Sequence, residues 1–178
     1  MAIRKASAYS KMKSRPFTRI SRQKGKSYIK TVPTHKVVKF HLGNQKEHRL
    51  GNHHFGVGLF AEQQVQIRDT AIEAARQALT KTMDEKATGN YYMAVKIFPH
   101  HFIRENKTAA GAGADRISTG MTQSSGIIIG RMARVPAGKI LFLITTTTED
   151  LARVARDALG QVRSKLPGKT RIVFQKLG

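Results

Sequence analysis

The hydrophobic pattern divides the chain in two. Residues 1–36 carry almost no periodic apolar positions, and regular patterning begins at Val37. Val37-Val38-Lys39-Phe40-His41-Leu42 predicts a strand ending at Gly43-Asn44, and His54 to Ala61 a second, glycine-broken strand. A helix is predicted over 62–87, with Val65, Ile72, Ala75, Leu79 and Met83 on one stripe and Gly89-Asn90 as its stop. Met93, Val95 and Ile97 alternate within a strand from Tyr91 to Phe98, closed by Pro99. Residues 99–126 are rich in Gly, Ala, Ser and Thr, and a structureless stretch of that length is uncommon in a small domain. Ile127 to Val135 returns to strand character, Pro136-Ala137-Gly138 turns, and Lys139 to Thr147 is a partner strand. Thr147-Thr148-Glu149-Asp150 has the look of a capping box. The helix after it, reaching Leu166, is amphipathic through Leu151, Val154, Ala155, Ala158, Leu159 and Val162, and Pro167-Gly168 ends it. Thr170 to Gln175 is the last strand.

The order β-β-α-β, long loop, β-β-α-β predicts an α+β fold, with two helices on a mixed, mostly antiparallel sheet. The expected organisation is a basic arm over 1–36 and a single domain over 37–178 that carries a functional loop at 99–126. The two halves repeat an order of elements, without sequence identity between them.

Charge sharpens this division. The 178 residues hold 32 Lys and Arg against 11 Asp and Glu, a net charge of +21. The first acid is Glu47. Before it stand Arg4, Lys5, Lys11, Lys13, Arg15, Arg19, Arg22, Lys24, Lys26, Lys30, Lys36, Lys39 and Lys46. So dense a positive charge repels itself and calls for a polyanionic partner. Tyr9, Phe17 and Tyr28 are interleaved with the cations, which pairs phosphate neutralisation with rings that stack on bases. The arm lacks the amphipathic face of an interfacial helix, so nucleic acid is preferred over a membrane surface. The absence of cysteine excludes a disulfide framework, a thiolate zinc site and a thiol nucleophile. The chain contains no apolar run of membrane-spanning length and no apolar stretch behind the basic start, so the default compartment is the cytoplasm.

Catalytic motifs do not assemble. Gly168-Lys169-Thr170 resembles the end of a phosphate loop, but Arg163 stands where its first glycine belongs, and the segment follows a helix instead of opening one. Gly111-Ala112-Gly113 lacks a third glycine at Arg116. His53-His54 and His100-His101 lack the spacing and companions of a metal site and read as hydrogen-bonded or RNA-facing histidines. Glu105 and Asp115 each adjoin an arginine, which they orient. Neither an enzyme activity, a cofactor, a metal nor a small-molecule substrate is expected. The loop sets Arg104, Lys107 and Arg116 around the small residues 109–114. Small residues let the backbone approach a ligand closely. A thin finger between nucleic-acid elements fits this composition, and so does a flexible surface excursion.

Two motifs narrow the choice. Phe98-Pro99-His100-His101-Phe102-Ile103-Arg104, and Ala112-Gly113-Ala114-Asp115-Arg116 leading to Gly120-Met121, resemble the signature of a large-subunit ribosomal protein family, the archaeal and eukaryotic L ten e, cognate with bacterial L sixteen. Gly130 and Ala133-Arg134-Val135 continue the likeness, and the order of elements agrees from about residue 28 to 176. Ser124-Ser125-Gly126 stands where the family usually has Gly-Lys-Pro, Thr122 replaces a basic residue, and Ser10 replaces an arginine. The resemblance implies an α/β-hammerhead-like core docked on large-subunit ribosomal RNA, in a divergent archaeal lineage. It also implies a loop directed toward the peptidyl transferase region and tRNA acceptor arms, with neighbouring ribosomal proteins as further partners. On this reading Arg4, Lys5, Arg15, Arg19, Arg22, Lys24 and Lys26 of the arm, and His101, Arg104, Lys107 and Arg116 of the loop, contact RNA. Gly111, Gly113 and Gly120 set the loop's path and Asp115 orients an arginine. A free-standing nucleic-acid-compacting protein is the alternative; it accounts for the charge but not for the loop.

Overall fold

The computed structural model describes residues 7–11, 23, 29, 31–105 and 127–177. Among these, eight strands are arranged in two sheets: β1 His41–Gly43, β2 Phe55–Ala61, β3 Val65–Arg68, β4 Tyr91–Val95, β5 His101–Glu105, β6 Ile127–Val135, β7 Ile140–Thr146 and β8 Thr170–Lys176. The larger sheet runs β1-β4-β7-β2-β8 and the smaller β3-β6-β5, with every ladder antiparallel. The helices are α1 Ser7–Ser10, α2 Gln45–Arg49, α3 Asp69–Lys86 and α4 Glu149–Val162, the last running into a 3-10 turn at Arg163–Lys165. The α+β class is as expected. The strands are shared between two sheets instead of forming one.

One face of the larger sheet is the core. Val57, Leu59, Met93, Phe142 and Ile144 point into it and are fully buried. Ile72, Ala75, Leu79 and Met83 of α3 meet them at helical spacing, which is the stripe the sequence displays. In α4, Ala152, Ala155 and Ala158 recur every third residue beside Leu159 and Val162, and their small side chains bring that helix close to its neighbours. Among the described residues, the opposite face carries no such layer of long helices. There Gly58 leaves room for a ring: a Cβ at this position would stand 2.8 Å from Phe60 Cε2. Gly43 ends β1 at φ +79°, where a Cβ would fall 2.3 Å from the Tyr91 carbonyl oxygen, so only glycine fits this turn.

Several boundaries differ from the sequence expectation. The helix expected from residue 62 begins at Asp69, because Val65–Arg68 pairs with β6. Val65 and Ile72 lie seven residues apart, two helical turns, so Val65 falls in phase with the helix stripe while belonging to a strand. His101–Glu105 is a strand and not part of a loop, since β6 supplies its partner from more than twenty residues away. The strand expected from Val37 is confined to His41–Gly43. Upstream of it, the amide of Lys36 donates to Asp69 Oδ2 at 3.0 Å and that of Val38 to Glu73 Oε2 at 3.3 Å, so carboxylates of α3 take the place of a neighbouring strand. The capping box is not formed: Thr148 is the N-cap of α4 without a side-chain cap bond, and the Thr146 hydroxyl donates to the Thr148 carbonyl instead. The helix itself ends at Val162, short of the expected Leu166.

Candidate nucleic-acid interface

The face of the larger sheet turned away from α3 and α4 gathers rings that are scattered in sequence. Tyr92 and Thr145 are cross-strand partners, one position out of phase with the core residues Met93 and Ile144, so both project away from the helices. The Tyr92 ring stacks on His48, with centroids 4.1 Å apart and planes at 17°. His41 lies parallel on the same ring at 6.0 Å and 9°, its Nδ1 2.7 Å from the Tyr92 hydroxyl. Thr145 Oγ1 ties the group together, standing 2.8 Å from His53 Nδ1 and 3.1 Å from His48 Nδ1. The short helix α2 carries His48 into place. Its N-cap Asn44 accepts the Glu47 amide on Oδ1 at 3.2 Å, and the Asn44 amide donates to the Tyr91 carbonyl at 2.8 Å.

The electrostatics of this group follow from its setting. Burial, followed by the charge of Lys96, pushes the His48 pKa down. Burial, followed by the neighbouring His48, does the same to His53. Burial raises Tyr92, against a smaller opposing effect of Arg49. At neutral pH, His48, Tyr92 and His53 are therefore uncharged. Lys39, Lys46, Arg49 and Lys96 are exposed on the surrounding segments. Tyr92 and His53 are buried, so what this group offers a polynucleotide is the exposed His41 and the half-buried His48, bordered by the ammonium and guanidinium groups that would meet its phosphates.

A piece of the N-terminal segment docks on the smaller sheet. Lys11 forms an antiparallel bridge with Val65. Gln66 is 4% exposed because its amide donates to the carbonyls of Tyr9, at 3.3 Å, and Lys11. The Arg68 guanidinium sits 4.8 Å from the centre of the Tyr9 ring. Tyr9, expected as a free stacking ring, thus has one face occupied within the chain.

Of the site residues expected from sequence, His101 and Arg104 are described, both on β5. His101 is 2% exposed, and its pKa is pushed down to about 4, chiefly by burial and secondly by His100 and Arg134. Its ring is part of the packing of the smaller sheet, so the RNA-contact role expected of it is not supported by its position. His100 beside it is the exposed histidine. Arg104 is half-buried, just past a register shift between Ile103 and Arg104 that breaks the alternation of β5. Arg4, Lys5, Arg15, Arg19, Arg22, Lys24, Lys26, Lys107, Gly111, Gly113, Asp115, Arg116 and Gly120 lie outside the described residues. His41, His48 and Tyr92 went unread in the sequence, because their only signal is a cross-strand register linking positions some fifty residues apart. Among the described residues, no group of His, Asp and Glu is placed to hold a metal ion, and no helix is long and apolar enough to cross a membrane.

The depressed histidines predict a pH response. A histidine whose folded pKa is lowered stabilises the fold fully above its unfolded value near 6.5, and this contribution is lost as pH falls through the folded value. For His101, lowering the pH from 7 to 4.5 should remove about 2–3 kcal/mol. Urea midpoints at the two pH values measure it. His101→Leu should show a clearly smaller difference than the wild-type chain; an unchanged difference would contradict the assignment.

The family described as Ribosomal protein L16p/L10e matches residues 12–173. A Large ribosomal subunit protein uL16 of Thermofilum pendens is 38% identical over 177 residues, 99% of this chain and 99% of the relative. The uL16 proteins of Staphylothermus marinus and Methanococcus aeolicus are 38% and 37% identical, each over 99% of this chain and 96% of the relative. With similarity running from the arm through both sheets to the last strand, the chain belongs to the L16p/L10e family of ribosomal proteins.

Proposed function

We propose that the chain is a structural constituent of the large ribosomal subunit, working in the cytoplasm as a ribosomal-RNA-binding protein without catalytic activity of its own. The observation that carries this reading is the likeness, over nearly the entire chain, to archaeal proteins named as large-subunit components. The charge distribution supports it: residues 1–36 hold eleven cations and no acid, as an arm threaded among phosphates requires. The division into an arm over 1–36 and a domain over 37–178 belongs to the same proposal.

Within it, Arg4, Lys5, Arg15, Arg19, Arg22, Lys24 and Lys26 neutralise phosphates. The finger that begins beyond β5, with Lys107 and Arg116 among its small residues, reaches toward the peptidyl transferase centre and the tRNA acceptor arms. Gly111, Gly113 and Gly120 give the finger its backbone freedom, and Asp115 orients a neighbouring arginine. Arg104, at the finger's base, adds a phosphate contact. Neighbouring ribosomal proteins complete the set of partners.

The test is sedimentation of the full chain with large subunits through a high-salt sucrose gradient. Co-migration at near one copy per particle is expected. Quantitative release, together with condensation of unrelated RNA and DNA by the released chain, would favour the free-standing compacting protein.

A further inference from the structure

The corner where β4 leads into β5 carries a large apolar ring on the surface. Phe98 is 46% exposed, yet it is braced on the protein side. His35 meets it edge-on, centroids 5.2 Å apart and planes at 74°, and Phe40 tilts against it at 5.5 Å and 34°. His35 also meets Phe40 edge-on at 5.8 Å, so the three rings close a triangle. Their backbones are fixed as well. The Val95 amide donates to the Phe40 carbonyl at 2.8 Å, and the His100 amide to the Phe98 carbonyl at 2.9 Å. Pro99, between Phe98 and His100, is buried.

The charges of this corner are one-sided. Lys36 and Lys39 lie on the segment leading into Phe40, Lys96 stands two residues before Phe98, and all three are exposed. The carboxylates nearest in the chain of contacts are turned inward: Asp69 accepts the Lys36 amide, while Glu73 accepts the Val38 amide and pairs with Arg76 at 2.5 Å. A ligand arriving here meets a rigid ring and ammonium groups. An apolar protein side chain would use the ring and leave the cations unanswered. A double helix would use the cations and leave the ring, since its bases are stacked on one another. An unpaired nucleotide uses both, with its base on the ring and its phosphates on the lysines.

We propose that Phe98, braced by His35 and Phe40, is the stacking platform for one unpaired base of the bound RNA, with Lys36, Lys39 and Lys96 holding the adjoining phosphates. This rests on the reading of the chain as an RNA-binding ribosomal protein and specifies what one part of its surface binds.

The experiment uses the full chain and large-subunit ribosomal RNA. Ultraviolet irradiation of the complex, followed by nuclease and trypsin, should yield a nucleotide adduct on the peptide 97–104, localised to Phe98. Phe98→Leu, which keeps apolar bulk, should lower RNA affinity about 5- to 150-fold with an unchanged salt slope. Phe98→Trp should restore it, and equal melting temperatures would establish that all three chains fold alike. If the wild-type chain binds while Phe98→Leu binds equally and no adduct forms, the platform is wrong and the RNA reading stands. If the wild-type chain does not bind the RNA, both fall. A cross-link from Phe98 to another ribosomal protein inside assembled subunits, in place of a nucleotide, would also overturn the platform.

Discussion

Replacing Arg15, Arg19, Arg22, Lys24 and Lys26 together by glutamine should flatten the salt dependence of RNA binding more than any comparable change in the rest of the chain. Each phosphate neutralised by a cation contributes about −0.7 to −0.9 to the slope of log affinity against log salt. Five such contacts amount to a slope change of about 3.5–4.5. Between 50 and 200 mM salt, the wild-type chain should therefore lose about 100- to 500-fold more affinity than the variant. Glutamine keeps length and polarity and removes charge alone, so the comparison isolates counterion release. The measurement is a filter-binding or fluorescence titration of the full chain on large-subunit ribosomal RNA across a salt series. Parallel lines for the two proteins would remove the arm from the interface. The substitutions leave untouched the Tyr9 and Lys11 contacts with Gln66, so the docked part of the segment is preserved.

The second large effect belongs to stability. Glu73 and Arg76 are a buried pair on α3, with side chains 10% exposed on both sides. The Glu73 carboxylate accepts from Arg76 Nε at 2.8 Å and Nη2 at 2.5 Å, from the Gln77 side-chain amide at 3.0 Å, and from the Val38 amide at 3.3 Å. Its bond with Arg76 holds its pKa below the usual carboxylate range. Glu73→Ala strands the guanidinium without its counter-ion and frees the Val38 amide. Loss of one partner of a buried pair costs about 3–5 kcal/mol. For a chain of this size, the melting temperature should fall by about 6–20 °C. Replacing both residues, as Glu73→Leu with Arg76→Met, should recover most of the loss, because no buried charge is left alone. A Glu73→Ala chain that melts within a degree or two of the wild type would show that the pair contributes little.

The elements legible in the sequence are those whose signal is local. The unbroken apolar and β-branched run of Ile140–Thr146 and the stripe of α4 are carried within a few residues, and both elements stand within a few positions of where they were expected. Val65–Arg68 was masked because its apolar residue shares the phase of the helix that follows. His101–Glu105 is hidden in the sequence because its partner strand begins more than twenty residues later. The same distinction governs the interface. A run of cations on the arm is visible by counting. The stack of His41, Tyr92 and His48 exists only once β1, β4 and α2 have come together, and Thr145 joins it through His48, 97 residues away in sequence. His101 shows the reverse case. A motif drew notice to it, and its burial in a β ladder was not written in the motif.

The docking of Lys11 on β3 has a consequence for the chain before it meets a ribosome. β3 is an edge of the smaller sheet, and an uncovered edge offers unpaired amides and carbonyls to any other strand, including one from a second molecule. Lys11 bridges Val65, and Gln66 is engaged by the carbonyls of Tyr9 and Lys11, so part of this edge is occupied from within the same chain. The charge at this cover is positive, and two such surfaces repel. A newly made molecule is thereby guarded along this part of β3 against edge-to-edge aggregation by its own basic segment.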